Sequence, residues 1–111
     1  MHDLIVERAA VSIFRAGGSA ISADLPGWTQ PPLISNMRPD ITAMIDRRPI
    51  VVEVETRESW QTEHSLQQVA VFSEFAKKNG GEFHLLVPSA VRTYAKLLFA
   101  LMAYDVSVNG Y

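Results

Sequence analysis

The chain has 111 residues, a formal net charge of −2, 48% hydrophobic and 20% charged residues, and no cysteine. This describes one globular domain over 1–111, without a disulfide frame or a thiolate zinc site. No apolar run reaches the ~18 residues of a membrane span. Asp3 and Glu7 interrupt the basic start of a signal peptide, so no membrane partner and a cytoplasmic location are expected. A dedicated non-catalytic DNA binder would be basic, which this chain is not.

Residues 3–16 read as a helix, with Asp3 as N-cap and Gly17-Gly18 as the stop. Arg8, Ser12 and Arg15 make a narrow polar face, and Glu7 falls inside the apolar arc between Phe14 and Val11. It reads there either as a glutamate at the core edge or as a carboxylate aimed at a site. Residues 19–24 alternate small and apolar side chains and form a short strand. The stretch 25–37, with Pro26, Gly27, Pro31 and Pro32, is a loop in which Trp28 covers the core edge.

Two strands follow, 40–45 and 50–56, rich in Ile, Val and Thr and joined by a corner at Asp46-Arg47-Arg48-Pro49. A type I′ turn would need positive φ at both central residues, so a four-residue loop is expected. That register pairs Thr42 with Glu53 and Asp40 with Glu55. Ile41, Ala43, Ile45, Ile50, Val52 and Val54 then share one apolar, buried face. The other face gathers Asp40, Glu53 and Glu55 at the open end of the ribbon. Directly opposed side chains lie about 4.5–5.5 Å apart at Cβ, where like charges destabilise a sheet. A hard divalent cation, which selects carboxylate oxygen, relieves such repulsion.

A second helix runs from a cap at Ser59 or Thr62 to Asn79-Gly80-Gly81. Its apolar arc holds Leu66, Val69, Phe72, Phe75 and Ala76, with Gln68 at the arc's side. Residues 82–87 are a buried strand in which His84 is structural. A third helix, 90–102, and a last strand, 104–108, complete the chain. The order is helix, three strands, helix, strand, helix, strand: an α/β fold with a mixed sheet, antiparallel first and parallel after.

Pro39-Asp40, then Glu53-Val54-Glu55 after a strand turn, resembles the PD-(D/E)xK nuclease superfamily. The element order is similar too, which implies a restriction-endonuclease-like αβββαβ core flanked by helices, plus an extra C-terminal helix and strand. The small size and Glu7 resemble archaeal Holliday-junction resolvases. Gln68-xxx-Phe72 is similar to the Gln-xxx-Tyr element of RecB-like members, although Phe lacks the hydroxyl. The superfamily's Lys position is occupied by Glu55, as it is in some type II restriction endonucleases.

The resemblance implies hydrolysis of nucleic acid, DNA foremost, by an endonuclease that uses Mg²⁺ or Mn²⁺, and it admits a homodimer. Asp40, Glu53 and the Val54 carbonyl would hold the metal, which polarises the phosphodiester and lowers the pKa of a water. Glu55 would be a ligand or proton acceptor in place of Lys, and Glu7 an outer carboxylate. Arg38 and Arg57 would hold the phosphate, with Gln68 and Trp60 as further nucleic-acid contacts. Two alternatives stand beside it: a catalytically inactive module of the same fold that binds DNA or protein, and an unrelated α/β domain whose carboxylates form a solvated edge.

Overall fold

The computed structural model describes residues 1–111. Its elements are α1 (His2–Arg15), β1 (Ser19–Ala23), β2 (Ile41–Ile45), β3 (Arg48–Val54), α2 (Glu63–Lys78), β4 (Glu82–Val87), a 3₁₀ turn (Ser89–Val91), α3 (Arg92–Leu101) and β5 (Ser107–Gly110). The strands lie in one five-stranded sheet in chain order, β1-β2-β3-β4-β5. β1–β2 and β2–β3 are antiparallel, while β3–β4 and β4–β5 are parallel. Element order and mixed sheet are those expected from the sequence. The last strand starts three positions late, at Ser107 rather than 104.

The two faces of the sheet carry two cores. One holds Ile5, Val6 and Ala10 of α1 with Ala23, Ile41, Ala43, Ile50, Val52 and Val54. The other joins Val69, Phe72 and Ala76 of α2 and Ala95 and Phe99 of α3 to Val51, Phe83, Leu85, Val87 and Val108. Phe72 meets Phe83 edge-on at 5.9 Å between ring centres.

The hairpin is tighter than its sequence suggested. Asp46 (φ 51°) and Arg47 (φ 64°) both adopt left-handed backbone, making a two-residue turn of I′ type, and Arg48 already belongs to β3. The twist of this turn matches that of the strands, which outweighs the cost of positive φ at an arginine. Thr42 therefore pairs with Val51, not Glu53, and Ile41 with Val52. The register moves by two residues, so every side chain keeps its face and only its partner changes.

α2 is capped at both ends. The Thr62 side chain accepts the Ser65 N–H, Glu63 sits in the first turn, and Lys77 and Lys78 sit in the last. Gly80 (φ 67°) ends the helix, and the Gly81 N–H donates to Ala76 O at 2.8 Å, as in a Schellman motif. At Gly81 a Cβ would stand 2.1 Å from Pro49 O, a backbone atom that cannot step aside alone. Gly81→Ala is expected to cost roughly 1–3 kcal/mol, as overpacking does. Denaturant unfolding measures it, and an unchanged midpoint would refute this close approach of Gly81 to Pro49.

α1 covers less of the sheet than its apolar arc allowed for. Leu4 and Phe14 remain exposed, and Glu7 lies on the same outward stripe.

Candidate functional site

The open end of the β2–β3 hairpin is where the chemistry gathers. One step beyond the ladder's last pair, the Asp40 N–H donates to Glu53 Oε1 at 2.7 Å, and the Val54 N–H donates to Asp40 Oδ2 at 2.8 Å. The Asp40 carboxylate thus completes the backbone pairing at the end of β3. Asp40, Glu53 and Glu55 are all buried, at 8%, 4% and 6% exposure. Carboxylates are rarely so enclosed without partners. Asp40 stands against Glu53 rather than Glu55, as the corrected register requires.

Glu55 is held from two sides. Its Oε2 accepts the Ser59 hydroxyl, and its backbone carbonyl accepts the Tyr111 hydroxyl at 2.8 Å. Ser59 sits in a turn closed by its own contacts with the Thr56 N–H (2.8 Å) and hydroxyl (3.1 Å). Burial first, then the charges of Glu55 and Glu58, raise the Tyr111 phenol above its ordinary value.

His2 opens α1 and reaches the same point: its Nε2 lies 3.2 Å from Asp40 Oδ2 and its Nδ1 3.2 Å from Asp3 Oδ1. The hydrogen bond to Asp40 is the main reason the His2 imidazolium persists to about 9, working against partial burial. Burial, then the negative charge of Asp40, pushes the Glu53 carboxyl up to about 10, although the Asp40 N–H favours its ionised form. At neutral pH the cluster therefore carries a proton on Glu53 and another on His2. These neutralise charge that a cation would otherwise offset.

An open hollow of about 430 Å³ lies over the cluster, lined by His2, Asp24, Arg38, Asp40, Glu53, Val54, Glu55, Thr56, Ser59 and Gln68. A second hollow of about 460 Å³, mostly apolar, opens on the α1 side between α1 and the strands, with Glu82 and His84 at its rim. It shares no residue with the first. There His84 Nε2 lies 3.2 Å from Glu82 Oε1.

Of the residues expected from the sequence, Asp40, Glu53, Val54, Glu55, Arg38 and Gln68 line the hollow. The Arg38 guanidinium also donates to the Pro31 carbonyl. Arg57 is exposed beside the hollow's wall without lining it. Two expectations are corrected. Glu7 is exposed and stands away from the cluster, because α1 turns its Ile5–Val6–Ala10 face to the sheet. Trp60 is 6% exposed within the α2–α3 core, so its ring is not offered to a nucleic acid.

His2, Ser59, Asp24 and Tyr111 are site residues that sequence reasoning missed. The short run Thr56 to Ser59 carried a usable signal, a Ser/Thr turn following the Glu55 strand. His2 carried none, since nothing local ties it to Asp40.

The donor set is oxygen-rich and acidic, which suits a hard divalent ion. No three His, Cys, Asp or Glu side chains stand at metal-binding spacing. No protein-family model matches the chain, and no curated protein or solved structure matches it.

Proposed function

We propose that the protein is a metal-dependent endonuclease of PD-(D/E)xK type that hydrolyses phosphodiester bonds of nucleic acid, DNA foremost, with a restriction-endonuclease-like core. One observation carries the reading: three carboxyls are buried together at the hairpin end, with Glu53 holding its proton to about 10. Burying carboxyls costs a fold their hydration, whereas a cation site requires them.

Asp40, Glu53 and the Val54 carbonyl would hold Mg²⁺ or Mn²⁺. The ion would polarise the phosphodiester and lower the pKa of a water. Glu55, fixed by Ser59 and Tyr111, stands where the superfamily has Lys, and its carboxylate accepts the proton released by the attacking water. Arg38 at the rim, with Arg57 nearby, pairs with the phosphate. Gln68 faces the hollow from α2. A cytoplasmic location and a homodimer belong to the same reading.

A second reading, an inactive nuclease-fold module, is favoured by Glu55 in the Lys position and by the unclosed ligand spacing. Plasmid and branched-junction DNA incubated with Mg²⁺ or Mn²⁺ separate the two. The nuclease cuts, and Glu55→Ala stops cutting while the circular dichroism spectrum is kept. Metal binding without cleavage assigns the inactive module. Cleavage that survives both Glu55→Ala and Asp40→Ala comes from a contaminant and leaves the mechanism unsupported. Light scattering on the same samples reports the dimer.

A further inference from the structure

We propose that two copies of this chain pair through the outward face of α3, antiparallel about a two-fold axis near Leu97. The pairing deepens the homodimer of the reading above by giving it a surface. No residue of α3 lines either hollow, so pairing and chemistry fail separately.

Three observations carry it. The first is an apolar stripe that the fold leaves open. α3 turns Ala95 and Phe99 into the core beside Val108. Tyr94, Leu97 and Leu101 fall on another side of the same helix, at i, i+3 and i+7, and are 71%, 59% and 85% exposed. Leu98 lies at the stripe's edge, half-buried against the core. One exposed leucine is ordinary, but large apolar side chains gathered in one stripe mark an interaction surface.

The second is charge. The stripe and the positions that flank it on the helix, Val91, Thr93, Ala100 and Met102, carry none. α3 has no acidic residue, and its two cations, Arg92 and Lys96, project about half a turn away from Tyr94. The Arg92 guanidinium donates to the Val108 carbonyl at 3.4 Å and is committed to its own sheet. In an isologous contact the same patch supplies both sides, so a patch without charge meets its copy without repulsion. It offers no cation to nucleic acid or anionic lipid, and the net charge of −2 repels both.

The third is shape and size. Leu97 stands mid-stripe, so an antiparallel pair sets it against its own copy and sets Tyr94 against the partner's Leu101. The 10 residues of α3 make about 15 Å of helix, which buries less than the roughly 1,200–2,000 Å² of a stable interface. The pair is therefore weak and dissociates on dilution.

Sedimentation equilibrium of the 111-residue chain, from about 10 μM to 1 mM, tests the pairing. The apparent mass should climb from 12.3 kDa toward twice that value. Leu97→Glu sets two carboxylates across the axis and should raise the dissociation constant at least about tenfold, with the circular dichroism spectrum kept. Leu101→Glu, at a still more exposed position, should do the same and serves if Leu97→Glu does not fold. Leu97→Lys should weaken the pair as Leu97→Glu does. An equimolar mixture of the two should pair at least about tenfold more tightly than either alone, because opposite charges then meet at the axis. A monomer at every concentration, a dimer indifferent to both glutamate changes, or a mixture that pairs no better than its parts overturns the pairing. Monomers that sediment with anionic lipid vesicles, and cease to do so in Leu97→Glu, give the stripe to a membrane and overturn it too. Loss of DNA cleavage with the pair intact counts against the endonuclease alone, and cleavage by a strict monomer counts against the pairing alone.

Discussion

Glutamine in place of Glu53 is expected to stabilise the metal-free protein by roughly 3 kcal/mol at pH 7, while removing the response to divalent ions that the proposed function calls for. The carboxyl rises from 4.5 to about 10 on folding, chiefly through burial and then through Asp40. The folded state must therefore carry a proton that the unfolded chain has released at pH 7. Each pH unit above the ordinary value costs about 1.4 kcal/mol. Glutamine is neutral at no such cost, and its side-chain oxygen still accepts the Asp40 N–H.

The sign of the pH dependence follows from the same shift. A folded pKa above the unfolded one means that Glu53's share of stability is complete below pH 4.5 and drains as pH climbs toward about 10. His2 acts in the same direction: its share is complete below 6.5 and is lost through about 9. The metal-free protein should accordingly unfold at lower urea concentration at pH 9 than at pH 5, with Glu53→Gln flattening most of the slope. Equal midpoints at pH 5 and pH 9, with no gain from glutamine, would show that Glu53 is not the strained group its surroundings imply. A residue whose removal improves the fold is one kept for another purpose, which is why this result bears on function.

If the protein is the proposed endonuclease, Asp40→Asn is expected to lower DNA cleavage by about a thousandfold or more and to abolish any rise in melting temperature caused by Mg²⁺ or Mn²⁺. Losing a charged ligand forfeits several kcal/mol of charge stabilisation in the transition state, at about 1.4 kcal/mol per factor of ten. The fold should survive, because the asparagine oxygen can still accept the Val54 N–H that Asp40 Oδ2 accepts at 2.8 Å. Asp40→Ala cannot do this, and leaves a buried N–H unpaired at a cost of about 1–3 kcal/mol. Single-turnover cleavage and thermal melts with and without ion read both effects. An asparagine variant that cuts at the unaltered rate would remove Asp40 from the reaction.

The sequence by itself determined the order of elements, the mixed sheet and the sorting of the hairpin's side chains. Strand parity is a local property: Ile41, Ala43, Ile50, Val52 and Val54 share a face in any register that differs by two residues. For that reason the tighter turn at Asp46-Arg47 changes the expected pairs but not the cluster. Gly80-Gly81 and the Thr62 cap were equally legible, since caps are written in a few consecutive residues.

Only the tertiary structure decided which groups share the hollow. A helical wheel gives the width of an apolar arc but not how much of it a sheet will cover. The wheel therefore admitted Glu7 to the core side, although the α1 axis turns Glu7 outward and brings His2 to Asp40 instead. Trp60 lies in a polar connection and reads as a free ring until α2 and α3 close over it. Contacts such as His2 with Asp40 and Tyr111 with Glu55 join residues 38 and 56 positions apart. No periodicity encodes such pairs, because they follow from where rigid elements dock and not from any local preference of the chain.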